Sequence, residues 1–126
     1  MSQVQFMALA LQKADWLSTR QSVLAQNVAN VNTPHYRAKD IASFESFLDN
    51  SQISMVKSNP LHMDMELSAV EQPRMKADGT GDANFSGNNV SLENELMKLG
   101  ETNSQFALNT GLIKSFNRML AASLKG

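Results

Sequence analysis

Along residues 3–31, apolar positions return at Met7, Ala10, Ala14, Leu17, Leu24, Val28 and Val31, with Gln21 as the one polar member of the series. Steps of three and four keep these residues on one helical face. The pattern predicts a helix over 3–31, about 40 Å long. This stretch has no Gly or Pro, and its only charges are Lys13, Asp15 and Arg20. Asn32-Thr33-Pro34 ends it, because a residue before proline is driven out of helical geometry.

A second helix is predicted over 91–125. Positions 92, 96, 99, 103, 106, 110, 113, 117, 120 and 124 alternate in threes and fours and read Leu92, Leu96, Leu99, Asn103, Phe106, Thr110, Ile113, Asn117, Leu120 and Leu124. That is a heptad seam, to be paired with Met7, Ala14, Leu17, Leu24 and Val28 of the first helix. Asn103, Thr110 and Asn117 share one heptad position, where a buried amide fixes register at a cost in stability. Ser91 is placed to cap the helix. Glu93, Glu95 and Glu101 near its start and Lys114, Arg118 and Lys125 near its end complement the helix dipole.

Residues 32–90 between them hold all the prolines and half of the glycines. Ile41, Phe44 and Leu48 predict one short amphipathic helix. Met63–Leu67 alternates with period two, which predicts a strand, and Gln52–Lys57 is its expected hairpin partner. The fold expected is mainly α: one domain over 1–126, with paired terminal helices and an irregular middle carrying a short helix and a small hairpin.

Each terminal helix carries a further apolar stripe outside its seam: Leu9, Trp16 and Val23 on the first, and Leu108, Leu112, Phe116 and Met119 on the last. Pairing by the seams leaves these in water, where each large side chain forgoes roughly 1.5–3 kcal/mol of burial. Uncharged Gln26, Asn27 and Asn30 sit near the end of the first helix. Such amides pack against copies of themselves without like-charge repulsion. Both features point to self-association.

The segment Ala29-Asn30-Val31-Asn32-Thr33-Pro34-His35-Tyr36-Arg37 resembles the signature of the bacterial flagellar rod, hook and hook-associated axial proteins. There an N-terminal helix runs into Ala-Asn-Val-Asn-Thr-Pro-Gly-Tyr. Gly87-Asn88-Asn89-Val90-Ser91-Leu92-Glu93-Asn94-Glu95-Leu96 is similar to the second half of that signature and likewise introduces the C-terminal helix. The short middle matches the short rod members rather than those with inserted β-domains. His35 departs from the family's Gly, which matters if the turn needs positive φ.

The resemblance implies a structural subunit of the proximal rod, without catalysis, whose terminal helices pair as a D0-type unit. It would assemble helically, transmit torque and line the export channel. The implied partners are copies of itself, other rod proteins of the FlgC, FlgF and FlgG type, FliE and the flagellar type III export gate. That export route fits a sequence in which no cleavable secretory signal is read. The implied location is the periplasmic rod of the basal body. Phe44-Glu45-Ser46-Phe47-Leu48 resembles the Phe-x-x-x-apolar element read by the gate, which puts Phe44 and Leu48 in that role. The rival readings are a second short rod type such as FlgC and a soluble helical adaptor or export chaperone.

Charge and composition remove other classes. Eleven basic residues balance twelve acidic ones, and no basic run provides a nucleic-acid footprint. The absence of cysteine excludes disulfides and thiolate sites. No apolar run approaches the length of a membrane span. His62, Asp64 and Glu66 alternate on the expected strand, but no fourth metal ligand is evident. Asp78-Gly-Thr-Gly-Asp82 lacks the features of a phosphate loop or calcium loop. No cofactor, metal or small-molecule substrate is expected.

Overall fold

The computed structural model describes residues 3–53, 73–79 and 83–126. Within them the order is α1 (Gln3–Ala29), β1 (Lys39–Ile41), α2 (Phe44–Ile53), β2 (Met75–Ala77) and α3 (Leu92–Lys125). The chain is mainly helical, with long terminal helices, a short middle helix and a two-stranded antiparallel sheet. The expected strand at Met63–Leu67 and the set His62, Asp64 and Glu66 lie outside the described residues.

α1 and α3 run antiparallel. The rings of Phe6 and Phe116 stand 4.6 Å apart at one end. Along the pair, the Asn109 side-chain amide donates to the carbonyl of Ala10 at 2.9 Å. Gln21 Nε2 then reaches Asn103 Oδ1 at 3.1 Å, and Asn27 Nδ2 reaches Glu95 Oε2 at 2.9 Å. Ser91 caps α3, its side chain accepting from the amide of Asn94. Ser43 plays that part for α2, its hydroxyl accepting from the amide of Ser46.

The apolar core sits where the middle segment crosses α1. Trp16, Leu17, Val23 and Ile41 form one buried cluster, with Phe44 and Phe47 packed against it. Leu17 and Leu24 are fully buried, worth roughly 1.5–3 kcal/mol each. Trp16 Nε1 donates to the carbonyl of Ala42 at 2.9 Å, so the indole also fixes the chain between β1 and α2. Arg20 grips Asp40 through Nε and Nη2, both at 3.3 Å. Lys13 Nζ lies 4.5 Å from the ring centres of both Trp16 and Phe44. Burial, then the nearby Arg20 charge, lowers the pKa of this lysine.

Three sequence expectations change. Ile41 belongs to β1 rather than to a helix. Gln52 and Ile53 lie in α2, the rest of the expected hairpin lies outside the described residues, and the strand pair among the described residues is Lys39–Ile41 with Met75–Ala77. The third change is the face of α3. Glu95, Thr102 and Asn109, seven apart, are the buried residues of that helix, one position before Leu96, Asn103 and Thr110. A one-residue shift turns the helix by about 100°. The physical reason is polar pairing: Glu95 and Asn109 find buried hydrogen-bond partners on α1, which hydropathy alone does not register.

Two glycines inside α3, Gly100 and Gly111, have nothing within 4 Å of where a Cβ would stand. Replacing Gly111 by Ala should therefore stabilise the isolated chain by about 1 kcal/mol through helix propensity. Thermal unfolding checks this, and the midpoint should rise. His35, by contrast, holds φ at 62°, a left-handed geometry that costs an L-residue about 1–2 kcal/mol. His35→Gly should stabilise by up to about 1 kcal/mol after the glycine's added unfolded-state entropy, again read as a rise in the unfolding midpoint.

Candidate assembly interface and the junction behind it

The two signature segments meet at one end of the helix pair. Beyond the end of α1 the chain turns over residues 30–36, and the side-chain amide of Asn88 shares its two hydrogens among the carbonyls of Asn30 (2.8 Å), Val31 (3.1 Å) and Thr33 (2.7 Å). The Asn88 carbonyl oxygen accepts from the amide of Val90 at 2.7 Å. One side chain from the second signature thus holds the turn that follows the helix of the first.

Asn27 acts similarly on the following strand. Its Nδ2 donates to the Lys39 carbonyl at 2.6 Å and its Oδ1 accepts from the Lys39 amide at 3.0 Å. It thereby pairs with β1 as a neighbouring peptide group would. Tyr36 Oη also donates to Asn27 Oδ1 at 3.1 Å, and Glu95 takes the second amide proton. Asn89 completes the set, accepting from the Ala38 amide at 2.7 Å and donating to the Asp78 carbonyl at 3.2 Å. Lys98 bridges Asp78 and Glu95. Asn27, Asn88 and Glu95 are all 2% exposed or less, and no buried side-chain polar atom among the described residues lacks a partner.

His35 sits at the turn itself, its amide donating to the Ser86 carbonyl at 2.9 Å. Gly87 opposite it has φ +78°, and a Cβ there would stand 2.8 Å from His35 Nδ1. The motif residues Val31 and Tyr36 are half-buried, while Asn32, Thr33 and Pro34 are exposed.

The amides are therefore an internal fastening, and this corrects one expectation. Asn27, Trp16 and Val23, assigned from sequence to subunit contacts, are buried inside the single chain. Asn30 is half-buried and donates to the carbonyl of Gln26 at 2.8 Å, while Phe116 stacks on Phe6. The middle segment covers that side of α1, because Ile41, Ala42 and Phe44 lie over Trp16. Leu9 is half-buried.

The opposite correction applies to the seam. Leu17 and Leu24 are fully buried, but Leu92, Leu96, Phe106 and Leu124 are 42–86% exposed. Met7, Ala14, Val28, Leu99, Ile113 and Leu120 are intermediate. Leu108, Leu112 and Met119 are 50–66% exposed, as are Met97 and, on α1, Val4 and Leu11 at 54–78%. α3 thus turns a polar heptad line inward and leaves large apolar side chains exposed on both of its flanks. Phe44 and Leu48 are half-buried on the core. No helix among the described residues is long and apolar enough to cross a membrane, and those residues hold no cluster fit for a metal ion.

No model of a known protein family matches the sequence. Individual proteins do. The chain is 37% identical over 132 aligned positions to the flagellar basal body rod protein FlgB of Agrobacterium fabrum, spanning 99% of this chain and 96% of that protein. It is 32% identical to FlgB of Borreliella burgdorferi over 84% of this chain and 88% of the relative. It is 31% identical to FlgB of Bacillus subtilis over 78% and 74%.

Removing the Asn27 side chain by Asn27→Ala strands the Lys39 peptide, the Tyr36 hydroxyl and one Glu95 oxygen. The expected loss is about 3 kcal/mol or more, measured by denaturant unfolding. Alkali should loosen the same junction. Burial, then the Glu95 charge, raises the Tyr36 pKa above 10.0. Lys98 is pulled down by burial, but its hydrogen bond to Asp78 and the Glu95 and Asp78 charges outweigh this and raise it above 10.5. Both groups are favoured in their protonated forms by the fold. Their contribution is complete below the unfolded values and is lost as pH climbs through the folded ones. Stability should therefore fall from about pH 10 upward, and Tyr36→Phe should flatten part of that fall.

Proposed function

Because the chain belongs to the FlgB family of flagellar basal body rod proteins, we propose that it works as a structural subunit of the flagellar proximal rod. It transmits torque and lines the export channel, and it carries out no catalysis. The whole of 1–126 acts as one axial domain. The observation that carries this reading is the set of large apolar side chains that α3 leaves exposed on both flanks. A rigid helix pair with much of its apolar surface outside is a building block whose burial is finished by neighbours.

Leu108, Leu112 and Met119, with Leu92, Leu96, Phe106 and Leu124, form the proposed contact surface. Leu17 and Leu24 serve the internal pairing. The neighbours are further copies, other rod proteins of the FlgC, FlgF and FlgG type, and FliE. Export proceeds through the flagellar type III gate, with Phe44 and Leu48 read while the chain is unfolded, since both are half-buried once it folds.

Purified basal bodies should contain this chain, whereas a cytoplasmic adaptor would be absent from them; its absence would end the rod reading. Leu112→Ser should leave the isolated chain's stability within about 0.5 kcal/mol, as expected of an exposed site. The same substitution should lower recovery in basal bodies and reduce swimming. Phe44→Ala should reduce secretion, and normal secretion would remove Phe44 from the export role.

A further inference from the structure

Asp78-Gly79 is the one Asp-Gly pair in the sequence, which contains no Asn-Gly. Glycine after aspartate lets the next backbone nitrogen approach the side-chain carboxyl most freely, because no Cβ stands beside it. Gly79 is exposed, and a Cβ added there would meet nothing within 4 Å. Asp78, by contrast, is fastened on three sides. Its amide donates to the Ala38 carbonyl at 3.0 Å, and its carbonyl accepts from Asn89 Nδ2 at 3.2 Å. Its carboxylate is bonded to Lys98, which also reaches Glu95 at 3.5 Å. The Asp78 side chain is only 10% exposed.

We propose that Asp78-Gly79 is a spontaneous isomerisation site held shut by the closed junction, with Lys98 keeping the carboxyl away from the glycine nitrogen. The reaction needs only water. The Gly79 nitrogen attacks Cγ of the Asp78 carboxyl in its acid form. The N–H proton passes to solvent, and the hydroxyl leaves with a proton as water, closing a five-membered succinimide. Water then opens the ring. Addition at Cγ restores aspartate. Addition at the main-chain carbonyl carbon breaks the original peptide bond and leaves isoaspartate, with the main chain running through Cβ. One water leaves and one enters, and nothing is oxidised or reduced. Ring closure requires Cγ to swing onto the Gly79 nitrogen, which the Lys98 bond and the two fixed peptide groups oppose. The rate therefore follows the population in which the junction has opened. Isoaspartate lengthens the main chain by one carbon, so the bonds to Ala38, Asn89 and Lys98 cannot all re-form. The product is a permanent loosening of the junction that accumulates with the age of the chain.

The purified full chain, incubated near neutral pH, is mapped with Asp-N protease, which cleaves before aspartate and not before isoaspartate. The natural chain should lose cleavage at Asp78 on the order of tenfold more slowly when folded than in denaturant. Lys98→Met should speed the folded chain about tenfold, the effect of losing a hydrogen bond to a charged group. Lys98→Arg, which still reaches the carboxylate, should stay within about twofold of the natural chain. Gly79→Ala should leave the unfolding midpoint in place and slow the loss several-fold even in denaturant, since its methyl hinders the attack. Equal rates for the natural chain folded and denatured overturn the proposal, as do equal rates for the folded natural chain and folded Lys98→Met, or isoaspartate confined to other positions. Where Lys98→Met does not fold, the two rates of the natural chain and the rate of Lys98→Arg decide. A Lys98→Arg chain as fast as the denatured one overturns the proposal.

Discussion

The structure depends on side-chain amides standing in for peptide groups where the chain reverses. Asn27 pairs with both backbone groups of Lys39, and Asn88 shares its amide hydrogens among three carbonyls of the turn that follows α1. Without them, the exit from α1 would bury several unpaired backbone groups, each worth about 1–3 kcal/mol. Asn is suited to this work because its amide offers two donors and two acceptor sites in one plane, the inventory of a peptide group. The second signature thus acts as a clasp on the first, although more than fifty residues separate them.

Once the clasp is closed, the inward face of α3 is no longer free. Glu95 is committed to Asn27 and Asn109 to the backbone of α1, and these bonds set the rotation of the whole helix. Hydrogen bonding therefore decides which apolar residues point inward, and Leu96, Phe106, Leu108 and Leu112 are turned out. The cost to a solitary chain is exposed hydrocarbon, and the gain is a surface prepared for neighbours. That arrangement suits a subunit of a filamentous assembly, the role implied by membership of the FlgB family.

Much of this was legible in the sequence. The three-four periodicity placed both long helices to within two residues, Ser91 marked the start of α3, and the paired signatures pointed to the family. The break at Pro34 was also readable, whereas the conformation of the turn after it, with φ of 62° at His35, was not. What hydropathy concealed was the orientation of α3, because its buried line reads Glu, Thr, Asn and only then Phe. A polar residue is buried when a specific partner awaits it, and partners distant in sequence leave no periodic trace. Trp16 and Val23 misled for the complementary reason: the segment that covers them, Ile41 to Phe47, folds back from farther along the chain, and helical periodicity does not show where a later segment returns.

Amide hydrogen exchange on the free chain tests the central claim most directly. The amides of Ala38, Lys39 and Val90 are each bonded to an Asn side chain rather than to a regular helix or strand. If the clasp holds the fold together, these three should exchange as slowly as the amides around Leu17 and Leu24 in α1. Exchange at the rate of an open turn, while the middle of α1 stays protected, would contradict the account.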